Sequence, residues 1–134
     1  MDERSSLIHT LEEYFAARQD VGLVLLYGSF ATGTQGRESD VDVAVHMADS
    51  ASLELLIDIQ TDIGALCHRE VDVLDLRRAE GPILCSAIQQ GIKIKNDPIL
   101  FSYYNLKAIY FHEDYLPLLR SMQRANIGRF IHES

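Results

Sequence analysis

Asp40, Asp42, Asp72 and the dipeptide Gly28-Ser29 are the residues whose types and spacing point to chemistry. Gly28-Ser29 ends an unbroken apolar run (residues 23–27). Ten residues further on, Asp40-Val41-Asp42 opens a second apolar run. Aspartates two apart in an extended chain share one face, about 7 Å apart along the strand. Asp72, in a third alternating segment, would meet them across about 5 Å of sheet if the two strands were neighbours. Carboxylates that close repel one another unless cations neutralise them. Mg²⁺ is the natural cation: it takes one or two protein carboxylates and fills its shell with water and substrate phosphates. Two such ions clamping a phosphoryl centre would activate the attacking oxygen and stabilise the leaving one.

The Gly-Ser turn supplies the other half of such a site. A strand that ends in glycine lets backbone approach a ligand closely. A helix starting at Ser29 would aim free N–H groups at a phosphate, with the serine hydroxyl as a further donor. Gly-Lys-Ser/Thr is absent, so this is no Walker loop. Arg37 is the one positive charge between the turn and the aspartates, and is the candidate to help hold a triphosphate.

Taken singly, each feature has a plainer explanation. A Gly-Ser pair is ordinarily just a turn, an Asp-x-Asp a solvated strand end, and a lone strand aspartate an ion-pair partner. Their joint occurrence favours the metal site. Asp75 falls on the opposite strand face from Asp72 and reads as a strand-end or surface residue. His46 shares the aspartate face further along and reads as a polar filler. His9, His68, His112 and His132 fit no metal spacing. Core packing is the default for Tyr103, Tyr104, Tyr110 and Tyr115. Asp2-Glu3-Arg4 and His112-Glu113-Asp114 read as solvated faces.

The elements that must position these groups follow from periodicity. Ser5 or Ser6 can cap a first helix reaching about residue 18, with Leu7, Leu11, Tyr14 and Arg18 on one stripe that Ile8 and Phe15 widen. Residues 23–27 read as a strand covered on both faces, since no polar residue alternates there. In the strand over residues 41–47, Val41, Val43 and Val45 face a core, while Asp40, Asp42, Ala44 and His46 share the other side. Asp49 or Ser50 starts a helix to about residue 68, with Leu53, Leu56, Ile57, Ile63, Leu66 and Cys67 inward. A third strand covers 71–76 and a short helix 83–90, preceded by Pro82 and ended by Gly91. Ile92-Lys93-Ile94-Lys95 is an edge strand whose lysines discourage further pairing. Asp97-Pro98 opens a C-terminal helical region with Leu100, Tyr104, Phe111, Tyr115, Leu118 and Met122 on its stripe, kinked at Pro117 and weakened at Gly128. The sum is an α/β fold: a mixed sheet of about four strands flanked by helices.

One domain over residues 1–134 is expected, with a core of about residues 21–97 and C-terminal helices over 98–134. Cys67 and Cys85 lack metal spacing and read as reduced core residues. With no apolar signal core and no membrane-length run, the expected location is the cytoplasm. Twelve basic and 20 acidic residues leave a formal charge of −8. That sign repels phosphate backbones, so direct nucleic-acid binding is not expected; a basic or mixed-charge protein partner suits it better.

Gly28-Ser29, ten residues, Asp40-x-Asp42 and a later strand aspartate, Asp72, resemble the nucleotidyltransferase superfamily of DNA polymerase beta. In length the chain is similar to its minimal nucleotidyltransferases, and within those to the antitoxins encoded beside HEPN-domain ribonuclease toxins. The resemblance implies that Asp40 and Asp42 hold both Mg²⁺ ions, that Asp72 completes the catalytic one's site, and that Gly28 and Ser29 hold the triphosphate. It implies transfer of AMP from ATP to a tyrosine hydroxyl of a HEPN toxin, which silences the ribonuclease. Many relatives carry arginine soon after the Gly-Ser, where this chain has Phe30, Ala31 and Thr32. Two other classes of function stay open: a non-catalytic module that neutralises a toxin by occlusion, and a nucleotidyltransferase for a small-molecule hydroxyl.

Overall fold

The computed structural model describes residues 2–48 and 53–111. Among them the chain runs α1 (Glu3–Ala16), β1 (Val21–Tyr27), α2 (Ser29–Thr32), β2 (Val41–Met47), α3 (Leu53–Cys67), β3 (Val71–Asp75), α4 (Gly81–Gln90), β4 (Ile92–Lys95) and α5 (Pro98–Tyr110). The strands form one mixed sheet in the order β3-β2-β1-β4. β1 is antiparallel to both β2 and β4, and β2 is parallel to β3.

Helices cover both faces, which is why β1 carries no polar alternation. Val24 and Leu26 of β1 join Val41, Val43 and Val45 of β2 in one core with Leu7, Leu11 and Phe15 of α1 and Ile59 and Ile63 of α3. Leu23, Leu25 and Tyr27 face the other way, into a second core with Leu84, Ala87 and Ile88 of α4 and Tyr104 and Ala108 of α5. The β1–β2 register slips at Gly22, between Val21 and Leu23, so that Val21 keeps company with the even-numbered residues. An extra residue in one strand of a pair has this effect.

Several elements differ from the sequence reading. Asp2, not Ser5 or Ser6, caps α1: its Oδ1 accepts from the Ser5 amide at 2.7 Å. β1 begins two residues before the apolar run, at Val21, and α4 begins at Gly81. In α3, Leu53, Ile57 and Leu66 are exposed; Ile59 and Ile63 are the buried pair. Both stripes satisfy a helical period, and the sheet selects the one that also turns Leu55, Leu56 and Cys67 toward the core. β3 ends at Asp75, which is buried rather than surface-exposed. Of the tyrosines on α5 only Tyr104 is buried; Tyr103 and Tyr110 are exposed. Cys67 and Cys85 are free thiols, half-buried and buried. The expected helix start at Asp49 or Ser50, the groups at Pro117 and Gly128, and Tyr115, Leu118, Met122, His112, Glu113, Asp114 and His132 lie outside the described residues. No helix among the described residues is long and apolar enough to cross a membrane.

Candidate functional site

β2 and β3 carry the acidic residues. Their parallel register pairs Asp42 directly with Asp72 and Val41 with Val71. The same row continues onto β1, where Tyr27 is the antiparallel partner of Asp42. Tyr27, Asp42 and Asp72 thus stand side by side across three strands on the face that α4 and α5 cover. Asp42 is half-buried and Asp72 exposed. Burial first, then the charges of Asp72 and Asp40, hold the Asp42 carboxyl above its ordinary range. Burial together with Asp42 and Asp72 pushes the Tyr27 phenol up to about 12. Both shifts share the same two causes in the same order: a half-dry patch of side chains, then the negative charge gathered at this end of the sheet.

Gly28 meets Asp42 from the other side. It sits at φ 72°, ψ −151° and caps α2; a Cβ placed on it would collide with Oδ2 of Asp42. A side chain is therefore excluded twice, by backbone conformation and by the neighbouring carboxylate. Ser29 opens α2, a single turn that closes on Gly33 in the left-handed region. Phe30 is buried against the core, so it anchors the turn instead of reaching a ligand. Its ring lies under the Arg69 guanidinium, 5.0 Å from ring centroid to Cζ.

Arg37 is exposed, in the segment between α2 and β2, and shares a cleft of about 190 Å³ with Ser39, Asp40 and His68. The sequence candidates therefore form two adjoining groups, Gly28 with Asp42 and Asp72, and Arg37 with Asp40. Among the described residues no set of three His, Cys, Asp or Glu side chains is gathered so as to hold a metal ion. Three carboxylates unscreened by a cation repel, and draw together only around one. The Asp42–Asp72 pair nonetheless fits a divalent ion of the Mg²⁺ kind, which needs only one or two protein carboxylates. Burial and the neighbouring charges of Asp72 and Asp40 all disfavour the ionised form of Asp42, which a bound cation would offset.

Three residues near this site escaped the sequence reading. Tyr27 passed as an ordinary strand residue, although strand pairing puts it beside Asp42. Arg69 follows α3 and binds the 36–39 segment, and Arg4 binds the end of α2, its Nε and Nη2 donating to the carbonyls of Phe30 (2.6 Å) and Ala31 (2.7 Å). Asp2-Glu3-Arg4 is thus not simply a solvated face. The signal for it was slight: a run of charges on the first turn of an amphipathic helix, near a loop in space only. His46 is the polar filler expected, its Nδ1 2.7 Å from the Tyr104 hydroxyl.

A family model described as polymerase beta, nucleotidyltransferase matches residues 9–98. The protein adenylyltransferase MntA of Shewanella oneidensis is 30% identical over 93 residues, a match covering 67% of this chain and 66%, just under two thirds, of that protein. A chain of a toxin–antitoxin crystal structure with AMP-PNP superimposes at TM-score 0.69 and 24% identity, over 98% of this chain and 99% of its own length. A chain of the complex between a tri-AMPylated Shewanella oneidensis HEPN toxin and its MNT antitoxin gives TM-score 0.64 at 19% identity, covering 92% and 98%. At such identities these superpositions speak to the fold.

Proposed function

The chain belongs to the polymerase beta nucleotidyltransferase family, and on that premise we propose that it is an antitoxin acting as a protein adenylyltransferase. It transfers AMP from ATP to a hydroxyl, a tyrosine's, of a cognate HEPN ribonuclease toxin and so inactivates it. The observation that carries this reading is the direct pairing of Asp42 with Asp72 beside Gly28. Supporting it, the relative MntA is named for this activity, and the likeness in fold extends to a chain from a complex whose toxin is AMPylated. The 134 residues are read as one minimal domain, at work in the cytoplasm.

In this reading Asp40, Asp42 and Asp72 are the metal-binding and catalytic carboxylates, and Gly28, Ser29 and Arg37 hold the nucleotide. Mg²⁺, two ions in the family pattern, would screen the carboxylates and stabilise charge on the phosphoryl oxygens and the departing pyrophosphate. The chain's own groups do the rest. Gly28 lets the nucleotide approach the backbone, and the open first amides of α2, with the Ser29 hydroxyl, donate to phosphate oxygens. Arg37 adds positive charge at the adjoining cleft. Asp72, exposed next to Asp42, takes up the proton of the acceptor hydroxyl. That oxygen bonds to the α-phosphorus, the bridge to the β-phosphate breaks, and pyrophosphate leaves.

The test is to incubate the purified protein with labelled ATP, Mg²⁺ and the toxin encoded beside it. Label on the toxin that disappears with Asp42→Ala is the expected result. An unlabelled toxin, or one labelled equally by the variant, refutes the proposal. Neutralisation by occlusion has one observation in its favour: Ile99, Tyr103, Leu106 and Tyr110, spaced along α5, are exposed. An Asp40→Ala/Asp42→Ala variant that rescues cells as well as wild type would select it.

A further inference from the structure

Arg69 touches more of the segment leading to Asp40 than any expectation from its position would suggest. Its Nη1 donates to three carbonyls of one short stretch: Ser39 at 2.7 Å, Arg37 at 3.2 Å and Gly36 at 3.3 Å. Its Nε donates to Glu3 Oε1 at 2.7 Å and its Nη2 pairs with the same carboxylate. The guanidinium plane rests over Phe30, which is wholly buried. Little of the side chain reaches solvent (14% exposed). The next residue contributes as well, since the Val41 amide donates to the Glu70 carbonyl at 2.9 Å. One cation is thereby held by α1 and α2 while it gathers the loop that joins α2 to β2.

We propose that Arg69 is a positioning residue for nucleotidyl transfer: it fixes the 36–40 segment so that Arg37 and Asp40 stand where the nucleotide needs them. This rests on the adenylyltransferase reading above. Two physical points lead to it. Only arginine presents a rigid fork of donors able to serve a carboxylate on one edge and carbonyls on another; a lysine is a point charge on a flexible stem. A planar trans peptide also directs its C=O and N–H oppositely. With the carbonyls of residues 36, 37 and 39 drawn to Arg69, the amides of Arg37, Glu38 and Asp40 turn away from it. Those amides have no hydrogen-bond acceptor among the described residues, and all three residues are exposed at the cleft that Arg37 and Asp40 line. Arg69 thus sets the direction of three donors and two side chains without touching a ligand itself.

The experiment compares full-length wild type with Arg69→Met, Arg69→Lys and Glu3→Gln. Steady-state transfer of labelled AMP to the toxin gives kcat and the KM for ATP, and limited trypsin digestion gives the rate of cleavage after Arg37. Arg69→Met is expected to lower kcat/KM about a hundredfold, the scale of a misplaced catalytic group, with a rise in KM as well as a fall in kcat. It is also expected to speed cleavage after Arg37. Arg69→Lys keeps the charge but not the fork and recovers only part of both; Glu3→Gln shifts both in the same direction, by less. A merely structural arginine would lower the active fraction, reducing kcat in step with folded protein and leaving KM unchanged; that result overturns the proposal. So does full recovery by lysine. If wild type transfers no AMP, the adenylyltransferase reading fails by itself. Binding of Mg·ATP and the trypsin rate then decide on Arg69, and finding both unaltered in Arg69→Met overturns its role.

Discussion

Asp42 and Asp72 occupy directly opposed positions on parallel neighbouring strands, and the charge of Asp72 adds to burial in making the Asp42 carboxyl harder to ionise. Such a pair is costly to the folded protein by itself. Its cost is what a divalent cation would relieve.

Exchange of one of these charges should therefore separate stability from activity. The Asp42 carboxyl lies above its ordinary value of 3.8 in the fold. The folded state accordingly holds a proton that the unfolded chain has released between those two values. Metal-free stability falls as pH rises through that window and stays lower above it. Asp42→Asn is expected to raise the metal-free melting temperature at pH 7 by about 2–4 °C. The gain should shrink as pH approaches 3.8, and transfer of AMP should be lost. With Mg·ATP present the order should reverse, because ligand stabilises only the protein that binds it. A variant less stable than wild type in EDTA would contradict the repulsion inferred here.

Gly28→Ala should fail on both counts. Its φ and ψ lie in a region that costs a side-chain-bearing residue about 1–3 kcal/mol, and the new methyl group would press on Asp42. Denaturant titration reads the stability loss and labelled ATP the loss of transfer. Full activity in this variant would mean that the glycine is not needed for approach of the nucleotide.

His46 and Tyr104 form a hydrogen-bonded pair between β2 and α5, and burial, followed by the Arg77 charge, lowers the histidine below its ordinary 6.5; Asp75 and Asp97 pull it the other way. The unfolded chain therefore takes up a proton before the folded one does. The stability tied to a neutral His46 is complete above pH 6.5 and drains away as pH falls toward the folded value. His46→Gln should flatten that part of the stability profile. Tyr104→Phe should cost about 1 kcal/mol at pH 7, the scale of one hydrogen bond. An unchanged slope with His46→Gln would assign the acid sensitivity to another group.

Asp97 supplies a control remote from the carboxylate pair. Its Oδ1 accepts from the amides of Ile99 (3.0 Å) and Leu100 (3.3 Å) at the start of α5. Asp97→Ala should lower stability by about 1 kcal/mol with kcat and KM for ATP unchanged at a temperature where the protein stays folded. Altered kinetics would show that α5 reaches the site.

The parts of this fold legible in the sequence are those set by local period. The alternation of Val41, Val43 and Val45 against Asp42 and His46 identifies β2 and its faces, and the unrelieved apolar run of β1 marks a strand covered twice. Asp97-Pro98 marks the start of α5 just as plainly. Where two answers satisfy the same period, as in α3, only the docked sheet chooses, and Ile57 and Leu66 end outside. The placement of Asp72 beside Asp42 required a guess about strand order that no local signal contains. Arg69 and Arg4 were illegible for a further reason. The loop groups they hold are backbone carbonyls 26 to 33 residues away, and a carbonyl has no letter in the sequence.

Among the described residues β3 is the last strand on its side of the sheet, so Asp72 belongs to an outer margin and not to the bottom of a pit. A centre laid out along such a rim can be reached laterally. The side chain to be modified need not be drawn into a burrow or pulled from its own folded surroundings; a bulky target can present it by simply coming alongside. Reactivity toward an entire macromolecule would then follow from strand order, and a lengthened margin, such as an added strand beside Val71–Asp75, would close off large acceptors before small ones.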